Sequence, residues 1–444
     1  MTMAVLPLAA IALGAVAAML LAPLRWQGAP RLAAAAGLTL AVALQLARLG
    51  SDPAPMPPLL ADDGLARFGT LLACLSALAV LGFGNARREA PALIAIVAFG
   101  AAALSGAVHI ASLFLGLEIT SLALIGLIVL PLTPAALEAG YKYLLPGAAG
   151  SAALLMGAAL AYAATGRLDL TAFHFAGPMA AVATALLLAG LAFKLSLVPF
   201  HLWAPDLYEG APPATAALAG SAAKAAVVIA MLRLDLAIPA EPLWRQGLAL
   251  LAIASILLGN LAALRQPSLT RVIGFSSVAH SGYLAAMLAC GIAAAPAALL
   301  FYLATYVPAL IAALLVAASL GETATITSLR GLAWRSPLAG AALALALASL
   351  AGLPVAAGFL AKLFLVGALV GAEAWPLLAA VVIGSGLGLF VYFRFFVALF
   401  ARDGEAAATP LGPARAVMAA CTAALLLFGF YPGPLFGWLV LAAR

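Results

Sequence analysis

The sequence predicts an all-α polytopic membrane protein with about fourteen transmembrane helices. Three observations predict it. Hydrophobic residues make up 66% of the 444 and charged residues only 8%, with a mean hydropathy of +1.19; a soluble domain is roughly 45–50% apolar and about 25% charged. Apolar runs of about 20 residues recur from end to end, each long enough to cross a bilayer core of about 30 Å, and no polar block is long enough to form a soluble domain. The runs also lack the period-two alternation of a membrane strand barrel, which leaves helices as the spanning element.

The expected spans lie near 3–23, 31–50, 67–84, 91–108, 109–131, 139–163, 179–211, 214–236, 244–264, 269–290, 295–319, 337–371, 375–401 and 414–438. No Lys or Arg precedes the first run, so it is expected to remain as the first helix rather than to be a signal peptide. The net charge of +6 is dispersed, without the dense basic patch that nucleic acid demands. Basic residues sort by loop instead. Arg25, Arg31, Arg87, Arg88, Lys142, Arg265, Arg271, Arg330, Arg335, Arg402 and Arg415 fall at the odd-numbered connections; Arg48, Arg67, Arg167, Arg233, Arg245 and Arg444 fall on the other side. This bias places the odd loops in the cytoplasm and both termini outside.

Cys74, Cys290 and Cys421 are widely spaced in apolar segments, and no Cys/His cluster or G-x-G-x-x-G helix start occurs. The chain is therefore expected to carry no metal, iron–sulfur or nucleotide site, with its thiols as packing residues.

Four lysines carry more information. Lys142 lies close enough to a span end to snorkel. Lys194, Lys224 and Lys362 lie well inside spans, where each costs at least ~2.5–3.5 kcal/mol to insert. Lys224 is the most central. One acid matches them: Glu118, in "LGLEITSLALIGLIVL", lies well inside a short uninterrupted span. Packing could explain any one of these, but a buried acid and buried lysines in one bundle favour pairing. At about 6 Å and an effective dielectric of ~20 such a pair interacts by roughly 3 kcal/mol, so moving it apart or together switches the lysine between proton donor and acceptor. His280, in "SSVAHSGYL", adds an imidazole near mid-span beside Ser276, Ser277 and Tyr283. His109, His174 and His201 fall nearer span ends and suit an interfacial role.

Spans 179–211 and 337–371 are too long for continuous helices, and each contains a breaker: Pro199 in the first, Gly352, Pro354 and Gly358 in the second. Broken helices survive at membrane depth only where they line protein or a watery cavity. Lys194 precedes the first break and Lys362 follows the second. Pro199 and Pro354 are 155 residues apart, Glu118 and His280 162, Lys194 and Lys362 168. These offsets suggest two inverted five-helix repeats, 91–236 and 237–403, after an N-terminal group of three helices, 1–90, and before a final helix in 404–444.

Four motifs in this order, "LGLEITSLALIGLIVL", "KLSLVPFHLWAPDLYEGAP", "SSVAHSGYL" and "SLAGLPVAAGFLAKLFLV", resemble those of the antiporter-like subunits of respiratory complex I, the proton-pumping NADH:quinone oxidoreductase. The combination is most similar to the subunit N branch; subunits L and M and the Mrp-type sodium/proton antiporters are its cousins. A lysine at 362, where subunit M would carry glutamate, and the short C-terminus separate it from M and L. Pro146 departs from the pattern. The resemblance, which covers spans four to thirteen, implies fourteen helices and proton translocation by a non-redox subunit in a bacterial inner membrane. It carries the family's relay residues onto Glu118, Lys194, Lys224 and Lys362. Protons are expected to pass from the Glu118–Lys194 pair to Lys224, then by His280 and water to Lys362. NADH, flavin, iron–sulfur clusters and quinone are expected in partner subunits, with other membrane subunits and the lipid bilayer as contacts. Rival expectations are an Mrp-type antiporter or membrane-bound hydrogenase subunit, and a non-pumping scaffold.

Overall fold

The computed structural model describes residues 2–443 apart from 25, 27, 54–55, 57, 85–86, 239–241, 322–323 and 404–411. Arg25 and Arg444, counted above for orientation, and the start of the 404–444 segment lie outside the described residues. Among the described residues there is no strand, and the chain is built from helices. Eleven of these are long and apolar enough to cross a membrane, and five shorter apolar helices accompany them.

In order they are α1 (Thr2–Leu21), α2 (Ala29–Leu46), α3 (Gly64–Leu81), α4 (Ala90–Ser105), α5 (Ile110–Val129), α6 (Pro134–Thr165) and α7 (Pro178–Lys194). The chain continues through α8 (Trp203–Gly210), α9 (Pro213–Ala237), α10 (Pro242–Ala263), α11 (Leu269–Cys290) and α12 (Ala295–Leu320). Then follow α13 (Pro337–Ala351), α14 (Ala357–Gly371), α15 (Trp375–Leu399), α16 (Gly412–Phe430) and α17 (Gly433–Ala442). Both long spans with breakers are split: α7 and α8 divide the first, α13 and α14 the second. The expected last span is also divided, because Pro432 removes a backbone donor between α16 and α17 and Pro434 removes another in the first turn of α17. Pro146 does the opposite of breaking, since α6 runs unbroken through it for 32 residues.

The residues form two compact units, one from Met1–Lys194 with Leu218–Trp244, the other from Leu195–Ala217 with Arg245–Ala443. The chain thus leaves the first unit at its first break, gives α8 to the second, and returns within α9, at Leu218.

Within the first unit, helices approach through small residues. A Cβ on Gly14 of α1 would lie 2.9 Å from the Gly37 Cα of α2, and one on Gly190 of α7 would lie 2.6 Å from the Gly150 carbonyl of α6. Lipid supplies no hydrophobic drive between helices, so such close backbone contact is what holds them. Side chains satisfy helix starts: Asp63 accepts from the Ala66 amide at 2.9 Å, and Thr133 from the Ala136 amide at 3.3 Å. His109 caps α5 in the same way, which gives it a helix-end role. α9 is the interior helix, with 94% of its most apolar window buried, against 28% for α6.

In the second unit α11 and α12 are equally buried. α8 lies tightly on α11, where a Cβ on Gly274 would come 2.8 Å from the Pro205 Cα. The second break is made by Gly352, left-handed at φ 79, and Val355 at φ 80. The Gly358 amide bridges it by donating to Ser349 Oγ at 3.0 Å.

Candidate functional site

In the first unit α5 carries Glu118 and Ser121 three residues apart, hence on one face. α7 ends on Lys194, at the C-terminal half-charge of the helix, where a cation is favoured. The two helices bring Lys194 Nζ to 3.4 Å from Glu118 Oε1. The lysine side chain is 5% exposed and the carboxylate 26%. At this distance and an effective dielectric of ~20 the attraction is roughly 5 kcal/mol, against which the loss of both hydration shells must be set. Hydroxyls complete the arrangement. Lys194 Nζ donates to Ser121 Oγ at 2.8 Å, and Ser151 of α6 donates to Glu118 Oε1 at 2.5 Å. Ser121 donates its own proton to the Leu117 carbonyl at 2.7 Å and accepts from Tyr143 at 3.4 Å.

Lys224 is in the same unit and 3% exposed. It follows directly on a π turn, Ala219–Ala223, inside α9. Such wide turns are rare and recur at functional positions. Nine residues further along α9, the Arg233 guanidinium holds the Asp63 carboxylate with two bonds, 2.8 and 2.5 Å, and donates to the Ser105 carbonyl at 2.6 Å. Burial alone raises the Asp63 carboxyl, but the hydrogen bonds and charge of Arg233 outweigh it and hold the group below its usual range.

In the second unit His280 of α11 is 3% exposed, within a set of tyrosines. Its Nδ1 lies 2.7 Å from the Tyr302 hydroxyl of α12 and its Nε2 3.4 Å from the Tyr392 hydroxyl of α15. Tyr392 in turn bonds Ser276. Tyr208 of α8 and Tyr306 of α12 both donate to Ser277 Oγ, at 3.0 and 3.1 Å. Lys362 of α14 reaches back across the second break to donate to the Ala351 carbonyl at 2.8 Å, with its ammonium 5.2 Å from the Tyr283 ring centre. Among the described residues no three His, Cys, Asp or Glu side chains group as a metal site.

The family described as "NADH:quinone oxidoreductase/Mrp antiporter, TM" matches residues 107–388, most of the chain and every residue just placed from Glu118 to Lys362. The chain belongs to this family. NADH-quinone oxidoreductase subunit N of Rhodopseudomonas palustris is 52% identical over 433 residues, covering 96% of this chain and 95% of that protein. A chain of respiratory complex I from Thermus thermophilus is 38% identical with a TM-score of 0.90, covering 97% of this chain and 98% of its own. A chain of the Mrp complex from Dietzia sp. has the same TM-score, 0.90, at 21% identity and 97% of its own length, which shows shared fold alone.

For this member of the antiporter family, sequence reasoning found Glu118 with Lys194 and placed Lys224, His280 and Lys362 inside buried helices. It missed Ser121, Ser151, Tyr143 and, around His280, Tyr302, Tyr306 and Tyr392. It also read Arg233 as a loop charge, whereas the residue lies inside α9, is 7% exposed and pairs with Asp63 before α3. The three-residue spacing of Glu118 and Ser121 was the one signal that pointed to a missed residue.

Proposed function

We propose that this chain is the N-type, proton-translocating membrane subunit of a bacterial NADH:quinone oxidoreductase. The observation that carries the reading is the pairing of buried Lys194 with half-buried Glu118 at the end of a broken membrane helix, in a chain that matches subunit N over almost its full length. Closed, the pair keeps the lysine charged. When a displacement separates it, the ammonium loses its counter-charge and releases a proton, which a neutral amine at Lys224 accepts. In the second unit His280 takes a proton at one ring nitrogen while releasing one from the other, and Lys362 delivers it outwards. Each charge moved outwards works against about 2.3 kcal/mol per 100 mV, which downhill electron transfer must supply.

That electron transfer belongs to partner subunits: flavin and iron–sulfur clusters oxidise NADH, quinone is reduced there, and this chain holds no redox group. It contacts other membrane subunits and lipid in the bacterial plasma membrane, with both termini outside, and its repeats are 91–236 and 237–403. The family description also names the Mrp antiporter, which is the ground for one rival, a sodium/proton antiporter subunit. Proton flux measured with and without sodium separates the two, and mass spectrometry of the native assembly separates a hydrogenase.

The deciding experiment is Lys224→Met in the assembled complex. Methionine keeps the length and apolar stem of the side chain and removes only the titratable amine. Proton uptake by vesicles, normalised to NADH oxidised, should fall. Lys224→Arg should not rescue it, because a guanidinium does not release its proton. Wild-type proton ratio and oxidation rate in Lys224→Met would count against the relay and favour a scaffold.

A further inference from the structure

The ammonium of Lys194 stands closer to a neutral oxygen than to its counter-charge: 2.8 Å to Ser121 Oγ, 3.4 Å to Glu118 Oε1. Attraction between opposite charges rises as they approach, so something holds this pair apart. Two hydroxyls are placed to do so. Ser121 has spent its proton on the Leu117 carbonyl, so only its lone pairs are left to face outward, and these receive Lys194 and Tyr143. Ser151, from a different helix, sits 2.5 Å from the very oxygen that faces Lys194. That separation is typical of a hydroxyl bonded to an ionised carboxylate. The carboxylate is thus held from the α6 side and the ammonium from the α5 side.

We propose that Ser121 and Ser151 are positioning residues that hold the Glu118–Lys194 pair part-open. Ser121 parks the ammonium and Ser151 occupies Glu118 Oε1. A pair fully closed would bind its proton too firmly to release it, and one fully open would leave two unpaired charges in the bilayer. With a hydroxyl on each side, a displacement of a few tenths of an ångström at the end of α7 decides which partner the ammonium prefers. The position of Lys194 at a broken helix end is where such a displacement is cheapest, since no further turn of α7 follows it. Ser121 needs no proton of its own to transfer; it accepts a hydrogen bond in both states, and the transferred proton stays on nitrogen until Lys224 takes it.

The proposal rests on the pair reading above, and the test separates the two. In the assembled oxidoreductase, Ser121→Ala should slow NADH-driven proton uptake by about tenfold, the effect of one hydrogen bond to a charged group. Ser121→Cys keeps the connectivity of the side chain but accepts hydrogen bonds weakly, and it should slow uptake similarly. Ser151→Ala should move the infrared carboxylate band that Glu118→Gln removes. Wild-type uptake in Ser121→Ala, full uptake in Ser121→Cys alone, or an unmoved Glu118 band in Ser151→Ala each overturns the assignment. If Glu118→Gln is disabled while both serine variants are silent, only the serine assignment falls. If Glu118→Gln itself pumps normally, the pair reading falls.

Discussion

In the first broken helix the lysine closes the leading half, at Lys194, and its charge is met by Glu118. In the second the lysine sits in the trailing half, at Lys362, and reaches back to the last carbonyl of the leading half, that of Ala351. Both ammonium groups therefore end at the C-terminal pole of a half-helix, where unpaired carbonyls and the helix dipole favour a cation. They differ in what completes the neutralisation. Among the described residues no Asp or Glu pairs with Lys362; a carbonyl dipole and the Tyr283 ring face stand in its place. A carboxylate becomes a large liability when the lysine is lost, and a neutral carbonyl a smaller one. One break is suited to switching and the other to holding a cation loosely.

The largest effect that would break this comparison concerns assembly. Lys194→Met strands a half-buried carboxylate and should cost about 3 kcal/mol, the low end for a broken buried pair because Glu118 is 26% exposed. Adding Glu118→Gln should restore the yield of intact complex. Lys362→Met strands only a carbonyl and should cost about 1–2 kcal/mol. Equal yields for the two lysine variants would remove the distinction.

Next comes the geometry of the second break. Gly352→Ala puts a Cβ on a left-handed residue and 2.7 Å from Lys362 Cδ, so about 1–2 kcal/mol of stability and the lysine's placement should both be lost. At the first break the left-handed position is already Ser196, φ 58, so Ser196→Gly should stay within about 1 kcal/mol of wild type in thermal unfolding.

A smaller effect is expected at His280. Tyr302→Phe removes the hydroxyl at its Nδ1 and should cost about 1 kcal/mol, with slower proton uptake. An unchanged rate would mean that the imidazole is held by other groups.

The smallest effect is pH-dependent and sharpens the contrast within the first unit. Asp63 is held below its usual value of 3.8 despite burial, because Arg233 bonds it. Its contribution, about 1 kcal/mol after solvent screening of a part-exposed carboxylate, is present above pH ~4 and lost as pH falls through the lowered value. The difference in melting temperature between wild type and Asp63→Asn should shrink on acidification. The exposed Arg330–Asp403 pair of the second unit also lowers its acid, through the Arg330 hydrogen bond, yet Asp403→Asn should leave the melting temperature unchanged.

Legibility divided along one physical line. Sequence alone determined the helical membrane class, the two breaks, Glu118 and the buried lysines. A charge or a proline inside twenty apolar residues is a local anomaly whose cost is paid at that position, whatever the surrounding fold. Ser121, Ser151 and Tyr302 are unremarkable where they stand in the chain, and a small polar residue costs a membrane helix little. Arg233 looked like a loop charge because its partner, Asp63, is 170 residues away. The π turn before Lys224 is hidden in "AGSAA", a run of small residues with no proline. Assignment of α8 to the second unit likewise follows from its packing on α11, not from any residue in it. Hydrogen bonds and helix packing depend on which groups arrive together at about 3 Å, and only the tertiary structure decided those arrivals.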